Sequence, residues 1–212
     1  MRSMRRTLAA TARWGSAATL VAVIASGCVV APAGTQLLPP ERTARTVSGT
    51  AWVPPVEVTD PDALWQAGAI RDALSLNIAD FAKAAGYFTT VRTFPGKPAP
   101  EDYVLRFTFD RYVQRREPHP LYFPAAFLTA TLYIWLGGPI VNETIDLSGT
   151  LAITDANGLE LARANAAFAE TSWKGLYSDG SMTADTSRER TAFIKQLLDR
   201  AVDALARKGG QS

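Results

Sequence analysis

The chain has 212 residues, a formal net charge of +2, 47% apolar and 20% charged content, one cysteine and one histidine. A single cysteine has no intrachain disulfide partner, and one Cys with one His cannot assemble a nitrogen–sulfur zinc site. The near-neutral balance argues against a nucleic-acid-coating surface and against a disordered polyelectrolyte, which leaves one folded domain with flanking segments.

Arg2, Arg5, Arg6 and Arg13 precede an uncharged stretch, residues 14–27, rich in Ala, Val, Leu and Ile. Basic start followed by apolar run is the pattern of an export signal. The run ends in Ala25-Ser26-Gly27-Cys28, which resembles the lipobox of bacterial lipoproteins, with Ala25 where Leu is commoner. Small side chains suit a signal-peptidase site, and a cysteine thiolate is the nucleophile that accepts a diacylglycerol group. Residues 1–27 are therefore expected to be a lipoprotein signal peptide. Cys28 becomes the new N-terminus, carrying covalent diacylglycerol and an N-acyl chain and holding the protein on a bilayer without spanning it. Resemblance to Gram-negative lipoproteins adds that Val29, in place of Asp, implies the outer membrane, periplasmic face. Four of the 22 basic residues precede Cys28, leaving 18 against 20 acidic ones, so the mature chain would carry −2. No basic surface for nucleic acid is expected.

Residues 28–45 include Pro32, Gly34, Pro39 and Pro40 without periodicity and read as an acylated N-terminus and Pro-rich tether. Fully extended, such a tether would hold the domain roughly 50 Å off the membrane. Residues 46–208 read as a single α+β domain and 209–212 as a tail. Val47, Ala51 and Val53 alternate before Pro54-Pro55, a short strand. Asp60-Pro61 then opens a helix through Leu64, Ala67, Ile70, Leu74, Ile78, Phe81 and Ala85, ending at Gly86. A strand over 87–94 and a Pro/Gly loop follow. Tyr103, Leu105, Phe107 and Phe109 alternate with Arg106, Thr108 and Asp110 in a half-buried strand over 103–114. Ile145, Leu147, Leu151 and Ile153 do the same over 144–154. Asp155-Ala156-Asn157-Gly158 predicts a hairpin turn into a strand over 159–168. Thr186-Ser187-Arg188-Glu189 has the spacing of a capping box, before Ile194, Leu197, Leu198, Ala201, Val202 and Leu205 at helical spacing. The expected fold is α+β: an antiparallel-dominated mixed sheet with two amphipathic helices on one face.

Residues 121–141 contain no charged side chain. A helix of that length would just span a bilayer core of about 30 Å, but Pro124, Gly137-Gly138 and Pro139 cut the uninterrupted part to 125–138, too short to cross. Three readings are open. The first is a core strand or helix; the second is an exposed surface for a partner or the headgroup layer, built on Phe127, Leu132, Tyr133 and Trp135. The third is a membrane-inserting β-hairpin over 127–136, closed into a barrel by oligomerisation.

Catalytic patterns are not evident. His119 lies in Glu117-Pro118-His119-Pro120, a proline-fixed loop with no third group to orient a base. No nucleophile elbow and no phosphate-binding glycine loop occurs. Asp102, Asp110, Glu143 and Asp146 alternate with apolar residues and are expected on a solvent face. Arg106, Arg111 and Arg115 would bind an acidic polymer or lipid phosphate only if they shared one exposed face. Trp173 and Tyr177, beside Lys174 and Gly175, read as another contact point or a core lid, the core being the commoner place for aromatics at this spacing.

The run Gly86-Tyr87-Phe88-Thr89-Thr90-Val91, followed by Glu101-Asp102-Tyr103-Val104-Leu105, resembles envelope lipoproteins related to the curli secretion channel and the penicillin-binding-protein activators. The shared rhythm falls on Phe88, Val91 and 102–105. The resemblance implies a small α/β domain, an envelope location and no enzymatic activity. The expected function is a non-enzymatic, membrane-anchored binding or assembly component of the bacterial envelope, without cofactor or metal. It would have an envelope protein as partner and the capacity to oligomerise. The alternatives are a lipid- or hydrophobe-binding carrier and an oligomeric secretion-pore subunit.

Overall fold

A computed structural model describes residues 29–61, 67–129, 132–175 and 186–209. The signal segment, Cys28, Leu64 and Tyr177 lie outside the described residues. The described chain falls into two units. The larger comprises 30–115, 144–172 and the chain from 186 onward; the smaller comprises Val29, 116–143 and 173–175.

Strands β1 (Val29–Pro32), β2 (Val47–Val53), β3 (Glu57–Val58), β4 (Phe88–Thr93), β5 (Tyr103–Pro118), β6 (Pro139–Thr154) and β7 (Glu160–Gly175) form one sheet. Its order is β4-β2-β5-β6-β7, with β1 and β3 also paired to β5. Helix α1 (Ala67–Ala85) connects β2 to β4, and α4 (Ser187–Gly209) closes the chain; α2 (Tyr122–Leu128) and α3 (Leu132–Trp135) lie between β5 and β6. The fold is α+β with a mixed sheet, as the periodicity predicts.

Both kinds of pairing have local causes. A helix between β2 and β4 carries the chain back to the same end, so these strands pair in parallel, Ala51 opposite Val91 and Val53 opposite Thr93. β2 and β3 are also parallel to β5. The long strands run the other way. Thr144 bonds Thr171 and Thr150 bonds Asn165, each at 3.0 Å, so residue numbers fall on β7 as they rise on β6, which is antiparallel register. Asp155 makes the reversal: its Oδ1 accepts the amides of Leu159 at 2.8 Å and Asn157 at 2.9 Å. Gly158 takes φ +88°, a conformation that favours glycine.

The larger unit's core lies between the sheet and two helix faces. Ile70, Leu74, Ile78 and Phe81 of α1 and Phe193, Ile194, Leu197 and Ala201 of α4 are buried in one cluster with Leu105, Phe107, Leu147, Leu151 and Ile153. Phe109 is its hub, with ring centroids 6.1 Å from Phe107, 5.2 Å from Tyr112 and 6.0 Å from Phe193. Gly149 permits this, because a Cβ there would fall 2.9 Å from the Phe109 ring and 2.5 Å from the Thr108 carbonyl. α1 ends where the sequence predicts. The amide of Tyr87 donates to Ala82 O and that of Gly86 to Lys83 O, each at 3.2 Å, with Gly86 at φ +76°.

The stretch expected to be a free tether is bound to the larger unit from Ala33 onward. Ala33 is fully buried and its amide donates to Tyr112 O at 3.1 Å. Tyr112 Oη donates to Gly34 O and Asn77 Nδ2 to Thr35 O, both at 2.8 Å. Burial pushes the Tyr112 phenol pKa up, so it remains a donor at any physiological pH. Arg190, itself buried, donates from Nε to Gln36 O at 3.1 Å and from Nη1 to Thr186 Oγ1. The Leu38 amide donates to Thr191 Oγ1 at 2.8 Å, and the Thr43 amide to Ala85 O at 2.8 Å. Backbone groups that a free tether would leave to water are thus satisfied by β5, α1 and α4, and residues 33–46 form a strap. Thr186, predicted as one half of a capping box, serves the Arg190 guanidinium instead.

Two predictions follow from these contacts. Replacing Arg190 with Ala leaves the Gln36 carbonyl and Thr186 hydroxyl without their buried donor and lowers stability by about 2–4 kcal/mol. Hydrogen exchange then shows the Ala33 and Leu38 amides losing protection while the β6–β7 amides keep theirs. The amides of Leu159 and Asn157 also hold the Asp155 carboxyl below the usual carboxylate range. Its stabilising contribution is complete above the ordinary value near 4 and is lost as pH falls through the lowered one. In urea denaturation, the stability gap between wild type and Asp155→Ala is therefore constant near neutrality and narrows below about pH 4.

Candidate functional site

Within the uncharged excursion, α2 and α3 turn Phe123, Phe127, Leu128, Leu132 and Trp135 to solvent. Pro124 is compatible with α2 because it occupies the first turn, where an amide has no intrahelical acceptor. The Ala125 amide donates to Leu121 O at 2.9 Å and the Thr129 amide to Ala125 O at 3.0 Å. Thr129 joins the helices: its hydroxyl donates to Ala125 O at 2.7 Å and accepts the amide of Tyr133 at 3.0 Å. α3 ends in Gly137 at φ +80°, with the Gly138 amide donating to Tyr133 O at 2.9 Å. At its start, the Tyr122 amide donates to His119 O at 2.8 Å and the His119 amide to Ile140 O at 2.9 Å.

Phe127 and Leu128 are 88% and 82% exposed, Leu136 79% and Trp135 66%; Leu121, Phe123, Leu132 and Trp173 are exposed as well. An isolated exposed leucine needs no explanation, but here Phe127 and Leu128, and again Trp135 and Leu136, are exposed side by side along an uncharged segment. Of the four residues singled out in the sequence, Phe127, Leu132 and Trp135 are exposed. Tyr133 is turned inward: its Oη donates to Pro139 O at 3.2 Å, and its ring would lie 2.4 Å from a Cβ on Gly138. Tyr133 thus braces the helix pair.

Two of the three readings of this segment are corrected. Phe127, Leu128, Leu132, Trp135 and Leu136 are exposed, so these residues are not core. Residues 127–128 and 132–135 are helical, so 127–136 does not form the continuous strand that a membrane-inserting hairpin requires. Among the described residues no helix is long and apolar enough to cross a membrane. Trp173, expected in the core, is exposed at the end of β7. Its neighbour Gly175 lies against the Gly137 and Gly138 carbonyls, where a Cβ would come within 3.0 Å.

The carboxylates divide differently from the expectation. Asp110 is exposed and Asp146 half-buried, but Asp102 and Glu143 are buried. Asp102 accepts the Ala99 amide at 2.8 Å and pairs with Arg92 at 3.2 Å, which holds the loop after β4. Glu143 accepts from Arg116 Nε at 3.1 Å. Its odd number places it on the inward row with Ile145 and Leu147, a parity legible in the sequence. His119 Nδ1 accepts the Leu121 amide at 3.2 Å and so serves the turn into α2. Arg106 and Arg111 do not continue one alternation, since Asp110 and Arg111 are consecutive exposed residues before buried Tyr112.

A groove of about 340 Å³ on the larger unit is lined by Arg45, Tyr87, Lys195, Asp199 and Asp203. Its charges are paired: Tyr87 Oη donates to Asp199 at 2.6 Å, Lys195 to Asp199 at 2.6 Å, and Arg45 to Asp203. Such walls do not suit a hydrophobic ligand. Among the described residues no three His, Cys, Asp or Glu side chains converge as metal ligands.

No family model matches the chain, and no curated protein does. Among solved structures, a Xanthomonas campestris protein of the DUF330 family aligns at 12% identity over 86% of this chain and 98% of its own, TM-score 0.42. A minor lipoprotein from Acinetobacter baumannii aligns at 15% over 74% and 91%, TM-score 0.38. A lipoprotein from Neisseria meningitidis aligns at 16% over 77% and 99%, TM-score 0.35. At these scores the likenesses carry no argument about what this chain does.

Gly138→Ala forces the Tyr133 ring away and loosens the helix pair. Limited chymotrypsin digestion should then cut within 122–136 several-fold faster than in wild type, while the rest of the domain resists, since local opening governs cleavage.

Proposed function

We propose that this chain is a non-enzymatic lipoprotein of the bacterial cell envelope, anchored through acylated Cys28 to the periplasmic face of the outer membrane, where it acts as a binding or assembly component. The observation that carries this reading is the exposed apolar surface of α2 and α3, in a chain whose N-terminus has the order of basic residues, apolar run, small residues and cysteine. A folded domain that leaves Phe127, Leu128, Trp135 and Leu136 in water has a surface meant for contact. The other face offered to a protein partner is the outer side of the sheet. There Thr144, Thr150, Asn165 and Thr171 make polar cross-strand pairs and Arg106 is exposed.

Cells fed radiolabelled palmitate should incorporate label into the wild-type protein and none into Cys28→Ser, and fractionation should place the labelled form with outer-membrane material. An unlabelled wild type would overturn the anchor.

A further inference from the structure

The sequence alone placed a reach of some 50 Å between Cys28 and the folded domain. β1 removes it. The strand begins at Val29, one residue after Cys28, and successive Cα atoms are about 3.8 Å apart.

The direction of β1 follows from what else occupies that edge of β5. β3 pairs there at Thr108 and Phe109, and the Thr59 amide donates to Phe109 O at 2.9 Å. The Ala33 amide donates to Tyr112 O on the same edge. A β1 running parallel to β5 would collide with β3, so it runs antiparallel, from the Pro118 end toward Tyr112. Val29 accordingly belongs to the same compact unit as 116–143, the unit that carries α2 and α3.

From this juxtaposition we infer that the occupant of the exposed apolar surface on α2 and α3 is the headgroup and acyl boundary of the anchoring bilayer itself. The inference rests on the reading of Cys28 as acylated. Acyl chains on Cys28 hold Val29 at the lipid surface, and with it the unit in which residues 121–141 lack any charge. Trp135 and Trp173, both exposed in that unit, are the residue type enriched at membrane interfaces, where one part of the ring is apolar and another polar. A pair of helices too short to span but amphipathic in exposure lies in the interface plane.

The test uses the acylated protein in vesicles of phosphatidylethanolamine and phosphatidylglycerol. A thioether at Cys28 leaves an introduced cysteine as the only thiol, so an environment-sensitive dye can be placed at Leu128→Cys or Leu136→Cys, with Lys208→Cys as reference. Leu128 and Leu136 are 82% and 79% exposed, so neither substitution removes a packed side chain. The expected result is blue-shifted emission at both positions and about tenfold less quenching by iodide than at Lys208. Vesicle-bound protein whose dyes at 128 and 136 are as open to iodide as that at 208 overturns the inference and leaves the anchor standing. Protein that does not float with vesicles overturns both. Dyes shielded in whole envelopes but open in protein-free vesicles assign the surface to a protein partner and also overturn it.

Discussion

Strand length against helix length is the constraint on which the molecule depends. β5, β6 and β7 each have 16 residues, roughly 53 Å at 3.3 Å per residue, whereas α1 and α4 have 19 and 23, about 29 and 35 Å. Two helices cannot cover such strands end to end. The inward apolar row stops accordingly: on β6 it begins at Ile145, and on β7 it ends at Phe168. The next inward position on β6 is Glu143, buried and paired with Arg116. A buried carboxylate without that guanidinium would be strongly unfavourable, so the pair marks where a hydrophobic core gives way to a different solution.

Residues 116–143 belong, with Val29 and 173–175, to the smaller unit, which has its own logic. It has no charged residue from 121 to 141, and its order comes from backbone geometry: proline in a first turn, a threonine hydroxyl joining two helices, a glycine ending the second. Tyr133 turns inward while Leu132 and Trp135 turn out, which separates support from surface within four residues of α3. A segment built this way keeps its apolar side chains available for contact, a property that a core segment loses.

At the chain's beginning the same accounting of backbone groups produces the opposite result. Residues 33–46 have a composition that suits a free linker, yet their amides and carbonyls are taken up by Tyr112, Asn77, Arg190, Thr191 and Ala85. Prolines favour extended backbone, and an extended backbone lies as readily across helix ends as in water. Arg190 is decisive because its fork of donors reaches strap and helix start together. These contacts fix where 33–46 lies, and composition says nothing of them.

The sequence by itself determined the α+β class, the strand and helix faces, the Asp155–Gly158 reversal and the glycine end of α1, because each rests on local periodicity or on a backbone conformation few residues adopt. Glu143 is expected on the solvent face and is buried, although its parity with Ile145 carried the signal. Only the tertiary structure decided that 33–46 is a strap, that 127–128 and 132–135 are helical with Phe127, Leu128, Leu132 and Trp135 exposed, and that Trp173 lies outside the core. Those outcomes depend on which distant groups arrive to satisfy a backbone and on how far two helices can reach along a sheet. An apolar segment reads the same whether buried or bare until the area available to cover it is known.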